Sequence, residues 1–226
     1  MKIALRNQYL STQRFSRYLI ATGNNNRRAK RLYAANIRLA QAFHPMLSQL
    51  EVVFRNALNA TLSAYFNDPD WIINQKNGFM SHPSLARSKF FLRSCIQKTE
   101  YHLQNRSIPV TAGKIISDQM FGFWAAFFVP HHYTLIRGQP IYVFPNKPAK
   151  ETRASIHQKL EEIKNYRNRM NHCEPLCFNA NTVDCTNALA IRSMIYELIE
   201  WIDPELKGYF QSIDTIQSKT ARIMLI

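Results

Sequence analysis

Apolar residues recur along this chain at intervals of three and four, the spacing of one face of an α-helix. The periodicity predicts a first helix over Thr12 to Ala21, then a turn or helix cap at Asn24-Asn25-Asn26. A long helix follows from about Arg27 to Phe66, bent near Pro45. Its core stripe is Leu47, Leu50, Phe54, Leu58, Thr61 and Tyr65, with Glu51, Arg55 and Asn59 four apart along the edge. Asp68-Pro69-Asp70 ends it. Further helices are expected over Ser84–Gln104, with Leu85, Phe91, Leu92, Cys95, Ile96 and Leu103 facing inward, and over Thr111–Val129. In the second of these, Phe121, Phe123, Trp124, Phe127 and Phe128 read as packing residues.

Prolines make Pro130–Pro148 an irregular stretch, with His131 and His132 in a loop. A helix from near Ala149 packs through Ile156, Leu160 and Ile163 and carries Arg167 and Asn168 towards its end. The last major helix covers Asn181–Ile202, with Ile191, Met194, Ile195, Leu198 and Trp201, and Pro204 bounds it. The pattern leaves the order of the tail after Gly208 open. Period-two alternation is confined to Pro140-Ile141-Tyr142-Val143-Phe144, a short run. The expectation is an all-α fold, a single domain over residues 1–226, without internal repeat or linker.

Hydrophobic residues make up 46% of the chain, enough for a buried core. Charge changes the picture more. The 29 Lys and Arg exceed the 15 Asp and Glu by 14, a balance that suits nucleic acid first and an anionic membrane surface second. A basic surface serving only solubility would carry the same charge. The run Phe121–Val129 is about half the length a membrane-spanning helix needs. Met1-Lys2-Ile3-Ala4-Leu5-Arg6-Asn7-Gln8 lacks the apolar core of a signal peptide. Cys95, Cys173, Cys177 and Cys185 do not form a disulfide framework. These features predict a cytoplasmic protein, away from membranes, with reduced thiols.

One stretch concentrates chemistry: Arg167-Asn168-Arg169-Met170-Asn171-His172-Cys173-Glu174-Pro175. Arginine binds phosphate oxygens through a planar fork of donors, and histidine moves protons near neutral pH. On a regular helix, residues 167 and 172 lie about 140° apart. They converge if the helix unwinds near Asn171 to Pro175, or if two copies of the chain build the site. Asn168, four residues before His172, shares its face and can orient the imidazole. Elsewhere, Arg27-Arg28-Ala29-Lys30-Arg31 offers a backbone-binding patch or a solvated helix start. His172, Cys173, Cys177 and Cys185 lack a standard zinc spacing, and thiols in or near a core are the default. His131 and His132 could touch RNA or simply be solvated.

The stretch Arg167-Asn168-Arg169-Met170-Asn171-His172-Cys173-Glu174-Pro175-Leu176 resembles the "RNR-hydrophobe-x-H-H-E-P" signature of the Abi-like (abortive infection) family of HEPN ribonucleases. The similarity extends in order along residues 10 to 204. Gln13–Leu19 resembles the family's opening segment, and Ala29-Lys30-Arg31-Leu32-Tyr33-Ala34-Ala35-Asn36 its "A-x-x-L-Y-x-x-N" pattern. Leu50-Glu51-Val52-Val53-Phe54-Arg55-Asn56-Ala57-Leu58 is similar to its "L-E-x-x-x-R-N-A" helix, and Phe121-Gly122-Phe123-Trp124 to its central aromatic motif. Two departures stand out. Cys173 replaces the second histidine of the pair, and Leu135-Ile136-Arg137-Gly138 stands where the family has a tryptophan. They bear on substrate choice more than on catalytic class, because His172 is kept.

The resemblance implies a HEPN-type helical bundle with additional helices that dimerises and cleaves RNA without metal or other cofactor. The 2′-hydroxyl would attack its own phosphate, leaving a 2′,3′-cyclic phosphate. His172 would then be acid or base, Arg167 the phosphate clamp, and Asn168 an orienting or phosphate-binding group. Glu51, Arg55 and Asn56 would support the pocket, although Glu51 and Arg55 could also be a surface ion pair. Arg169, Arg27, Arg28, Lys30 and Arg31 would contact RNA. One chain supplies one motif histidine, and His157 lies about 22 Å earlier along a regular helix. A homodimer pairing two His172 would meet the need for both a base and an acid. The implied role is a toxin in phage defence, restrained by an antitoxin RNA or protein. The competing reading is a non-catalytic RNA-binding or scaffold protein on the same helical fold.

Overall fold

A computed structural model describes residues 3–226. Met1 and Lys2, the start of the segment read for a leader, lie outside the described residues. The fold is all-α apart from one hairpin. In chain order the helices are α1 Ile3–Tyr9, α2 Thr12–Ala21, α3 Asn26–Phe66, α4 Trp71–Asn74, α5 Phe91–Asn105, α6 Ala112–Asp118, α7 Phe121–Ala125, α8 Pro130–Leu135, α9 Arg153–Asn171, α10 Thr186–Ile202, α11 Leu206–Ile213 and α12 Ile216–Met224. The hairpin pairs β1 Phe178–Asn179 antiparallel with β2 Thr182–Val183, in register Phe178 to Val183. None of the described helices is long and apolar enough to cross a membrane.

Local chemistry sets most boundaries. Ser11 caps α2 by accepting from the Arg14 amide at 3.2 Å. The Asn25 side chain accepts from the amides of Arg27 and Arg28, both at 3.1 Å, and so starts α3 inside the expected Asn24–Asn26 turn. Pro45 lies within α3, where it removes one amide donor without ending the helix. Thr152 and Ser155 cap each other's amides, which moves the start of α9 from Ala149 to Arg153.

Several expected elements are subdivided. The helix over Ser84–Gln104 is cut, because Lys89 and Phe90 both take left-handed backbone; Pro83–Ser88 is a 3-10 turn and Phe91 is exposed. The helix over Thr111–Val129 breaks at Gln119, whose side-chain amide donates to Thr99 Oγ1 at 2.9 Å while Thr99 donates to Asp118. This buried polar knot holds Gln119 extended. Pro130–Pro148 is more ordered than its prolines suggest, with α8 and a 3-10 turn over Gln139–Val143 in place of any strand. The hairpin delays α10 from Asn181 to Thr186, where Asp184 accepts from the Thr186 amide at 2.7 Å.

The chain divides into two compact units. The first comprises 1–48, 165–196 and 208–226. Its buried rings include Tyr18, which meets Phe178 edge-on at 5.2 Å, and Phe43, which lies 4.6 Å from Tyr166. The tail belongs to this unit and is ordered. Asp214 accepts from Arg192, from the Tyr196 hydroxyl at 3.0 Å and from the Ile216 amide at 2.9 Å, while Phe210, Ile216 and Ile223 are buried.

The second unit comprises 49–164 and 197–207. Phe54 packs against Phe121, Phe128 and Phe144 at about 6 Å, as expected of core residues. Trp71 donates its indole N–H to Asn59 at 2.9 Å. His132 is buried, not a solvated loop histidine: Nδ1 donates to the Ala126 carbonyl at 2.8 Å, and burial pulls its pKa down to about 4. His131 remains exposed.

Candidate active site

The Arg167–Pro175 stretch occupies the C-terminal end of α9 and the turn after it. Ile156, Leu160, Ile163 and Tyr166 are the buried positions of the helix. Tyr166 packs on Phe43, and burial raises its hydroxyl well above the ordinary tyrosine range. Arg167, next in sequence, is half-buried and engaged by a neighbour. Asn168, Asn171, His172 and Cys173 are exposed.

The helix does not unwind at Asn171. The His172 amide still donates to the Asn168 carbonyl at 2.9 Å, so helical register holds through the histidine. Unwinding begins one residue later. Cys173 has φ 55, its amide donates to the Met170 carbonyl at 3.0 Å, and the Glu174 amide donates to the Arg169 carbonyl at 2.9 Å. That pair of bonds is a Schellman ending with cysteine in the position usually held by glycine. Pro175 follows, where it cannot interrupt the helix. Arg167 and His172 therefore remain about 140° apart round the axis, and the unwinding route to convergence is closed. Asn168 and His172 share a face, as their spacing predicts.

Neighbouring residues hold this ending in place. Arg169 donates Nη2 to the Pro175 carbonyl at 2.8 Å and meets Glu174 at 3.3 Å, so its guanidinium staples the turn. Asn36, buried on α3, accepts from the Leu176 amide at 2.7 Å. With Ala29, Leu32 and Tyr33 it forms the i, i+3, i+4, i+7 face of its sequence pattern. That pattern thus positions the chain just beyond His172. Arg17 donates Nε to the Ala180 carbonyl at 2.9 Å and lies over the Phe178 ring, clamping the hairpin. Cys177 and Cys185 are buried thiols, pushed up to about 12 and about 11 chiefly by burial, and protonated at neutral pH. Among the described residues, no three His, Cys, Asp or Glu gather as a metal site would require.

The other anticipated residues divide between the units. Glu51, Arg55 and Asn56 belong to the second unit. Arg55 donates towards Asn56 Oδ1 at 3.5 Å and the Ser117 carbonyl at 3.4 Å, and Glu51 is half-buried and engaged. Arg27, Arg28, Lys30 and Arg31 open α3 in the first unit, with Arg28 donating Nε to the Ile226 carbonyl at 2.7 Å.

One residue was absent from the expected set. His44 is exposed on α3 and lines a cavity of about 460 Å³ with Ile37, Pro45, Met170 and Asn171. The available signal was the i, i+7 spacing of Ile37 and His44 on the face opposite Leu39, Phe43 and Met46. His44 and Asn171, the residue preceding His172, thus line the same cavity.

Charge is uneven. The first unit holds 14 Lys and Arg against 3 Asp and Glu, a balance of +11; the second holds 15 against 12, a balance of +3. The first fifty residues contain no Asp or Glu. Compared with protein-family models, with curated proteins and with solved structures, the chain matches none.

Proposed function

We propose that the chain is a metal-independent endoribonuclease whose active group is His172, acting as a cytoplasmic toxin in phage defence. The observation that carries this reading is the end of α9: an exposed imidazole held in helical register, with Asn168 on its face, within a unit of balance +11. In the reaction a base takes the 2′-hydroxyl proton and the 2′-oxygen bonds to phosphorus. The bond to the 5′-oxygen breaks, and an acid protonates that leaving oxygen. The products are a 2′,3′-cyclic phosphate and a 5′-hydroxyl end. Arginine forks suit the charge that builds on the phosphorus oxygens.

The 140° between Arg167 and His172 favours a site completed by a second chain. A two-fold dimer presents the same segment twice and supplies both proton-transfer groups. His44 offers a second imidazole within one chain. Such an activity needs restraint in its own cell, by an RNA or a protein. The HEPN-type bundle and the Abi-like resemblance belong to this same reading.

The test is incubation of purified protein with labelled RNA in excess chelator. The expected outcome is cleavage leaving cyclic-phosphate ends. Binding without cleavage would instead place the chain as an RNA-binding scaffold, a role its charge alone also supports. Strict dependence on a divalent ion with 3′-hydroxyl products would remove the proposed chemistry.

A further inference from the structure

α3 and α12 enclose a groove of about 470 Å³ within the first unit. Lys30, Arg31 and Arg38 from α3 and Lys219 and Arg222 from α12 line it. Lys30 is already engaged by a neighbour, so the other four carry the argument. Arg31 and Arg38 are seven residues apart on one helical face, with Ala34 and Ala35 between them. Lys219 and Arg222, three apart, share a face of α12. Cationic rows on two helices thus meet around one concave space.

The main-chain oxygen of Ile226, which also lines the groove, accepts from Arg28 at 2.7 Å, and none of the described lining side chains is negative. Neither α12 nor the part of α3 before Glu51 contains an Asp or Glu. Like charges gathered in a concavity repel each other and focus a positive field into it. An anion relieves that repulsion.

The geometry selects among anions. The volume lies in the range of small-molecule sites. A chain of linked phosphates concentrates several negative charges in such a space, whereas a single nucleic-acid strand brings one per nucleotide. Strand-binding grooves also use aromatic platforms for the bases. The apolar part of this lining is aliphatic, from Ala34, Ala35, Leu225 and Ile226, with Leu225 largely exposed at the rim. It suits the uncharged body of a small ligand, while arginine forks take the phosphate oxygens. We infer that this groove binds a small polyphosphorylated molecule, of nucleoside di- or triphosphate size, through Arg31, Arg38, Lys219 and Arg222. The inference stands independently of the ribonuclease reading.

Titration calorimetry of the full chain tests it with three probes: adenosine triphosphate, inorganic tripolyphosphate, and a 2′-O-methyl RNA decamer that lacks the reactive hydroxyl. The nucleotide should bind once per chain and raise the melting temperature. Arg38→Glu and Arg222→Glu should each weaken binding at least about tenfold. Arg14→Glu, an exposed charge reversal on α2 outside the groove, should change it less than about twofold. Because Arg38 and Arg222 are exposed and surrounded by like charge, the two groove variants should melt no lower than wild type without ligand. Equal affinity for tripolyphosphate assigns recognition to the phosphates. Tighter nucleotide binding adds the aliphatic lining. Either result upholds the site. Equal weakening by Arg14→Glu would reduce the effect to net charge and overturn it. So would absence of nucleotide binding, or a decamer that displaces the nucleotide at lower concentration.

Discussion

The two units are both helical but differ in the carboxylates they set against their cations: 3 against 14 in the first, 12 against 15 in the second. The second pairs its cations with carboxylates: Lys76 with Glu100 at 2.6 Å, Lys159 with Glu197 at 2.7 Å, Lys164 with Glu161, and Lys207 with Glu200 at 2.9 Å. The first has such pairs in Arg192 with Asp214 and Arg169 with Glu174, and turns other arginine donors to main-chain oxygens and rings. Arg17, Arg28 and Arg169 donate to the carbonyls of Ala180, Ile226 and Pro175. Arg6 lies 4.4 Å over the Phe15 ring, and Arg17 covers Phe178. A carbonyl or a ring holds a guanidinium without cancelling it. The first unit therefore keeps structural arginines and most of its positive field together, while the second offsets most of its charge and retains a balance of +3. The candidate active-site histidine and the basic groove both lie in the unit that stays charged.

The sharpest way to break this contrast is to remove the imidazole. His172→Ala should lower RNA cleavage by about 10²–10⁴ with the fold unchanged by circular dichroism. An active, folded variant would end the assignment. Arg167→Lys should also be impaired, since an ammonium cannot reproduce the fork. Mixing His172→Ala with wild-type chains separates the two sources of a second proton-transfer group. Heterodimers well below half activity point to a composite site. Activity that instead collapses in His44→Ala, with heterodimers at half, places both groups in one chain.

Electrostatics should show the next largest effect. RNA binding by the His172→Ala chain should fall by about 10³ or more between 50 and 200 mM salt, if about six or more phosphates are neutralised. Reversing Arg27 and Arg28 should flatten the salt dependence measurably. Reversing Lys98 and Arg106, exposed in the second unit, should leave the slope nearly unchanged. Equal effects from both pairs would erase the distinction between the units.

The few carboxylates of the first unit should matter for stability. Asp214 is nearly buried and serves three donors, so Asp214→Ala should cost about 3 kcal/mol in urea unfolding. In the second unit, His132 should make stability depend on pH. Its folded pKa lies near 4, below the ordinary 6.5, so the unfolded chain binds the proton more readily between these values. Stability is full above about pH 6.5 and falls as pH drops towards 4, by up to about 3 kcal/mol. His132→Gln should remove that slope, read from urea midpoints at pH 7 and 4.5. The smallest effect concerns the helix ending. Cys173→Gly should stabilise the chain by about 0.5–1 kcal/mol, because glycine takes left-handed backbone without steric cost.

Much of the architecture was legible from residue order alone. Helical spacing defined α2, located α3 and its Asn25 cap, and identified Leu47, Leu50, Phe54 and Leu58 as core. These features act within four residues, so a linear pattern contains them. The breaks at Gln119 and Phe90, the burial of His132 and the ordered tail were not legible. Each depends on partners elsewhere: Thr99 for Gln119, Ala126 for His132, Arg192 for Asp214. The Arg167–His172 stretch stood out in the sequence by its residue types. Its rigid helical ending was not, because the Cys173 turn is closed by backbone bonds and by an Arg169 staple that composition does not signal.

By itself the sequence determined an all-α chain, its main helices, an excess of positive charge and the one stretch where arginine, asparagine and histidine cluster along the chain. Only the tertiary structure decided where these act. It set Asn36 against Leu176, 140 residues away, brought His44 and Asn171 to one cavity, and turned the cations of α3 and α12 into one groove. The reason is physical. Helix formation is governed by neighbours three and four residues apart, whereas a site is made by side chains that meet only once packing has closed the loops between them.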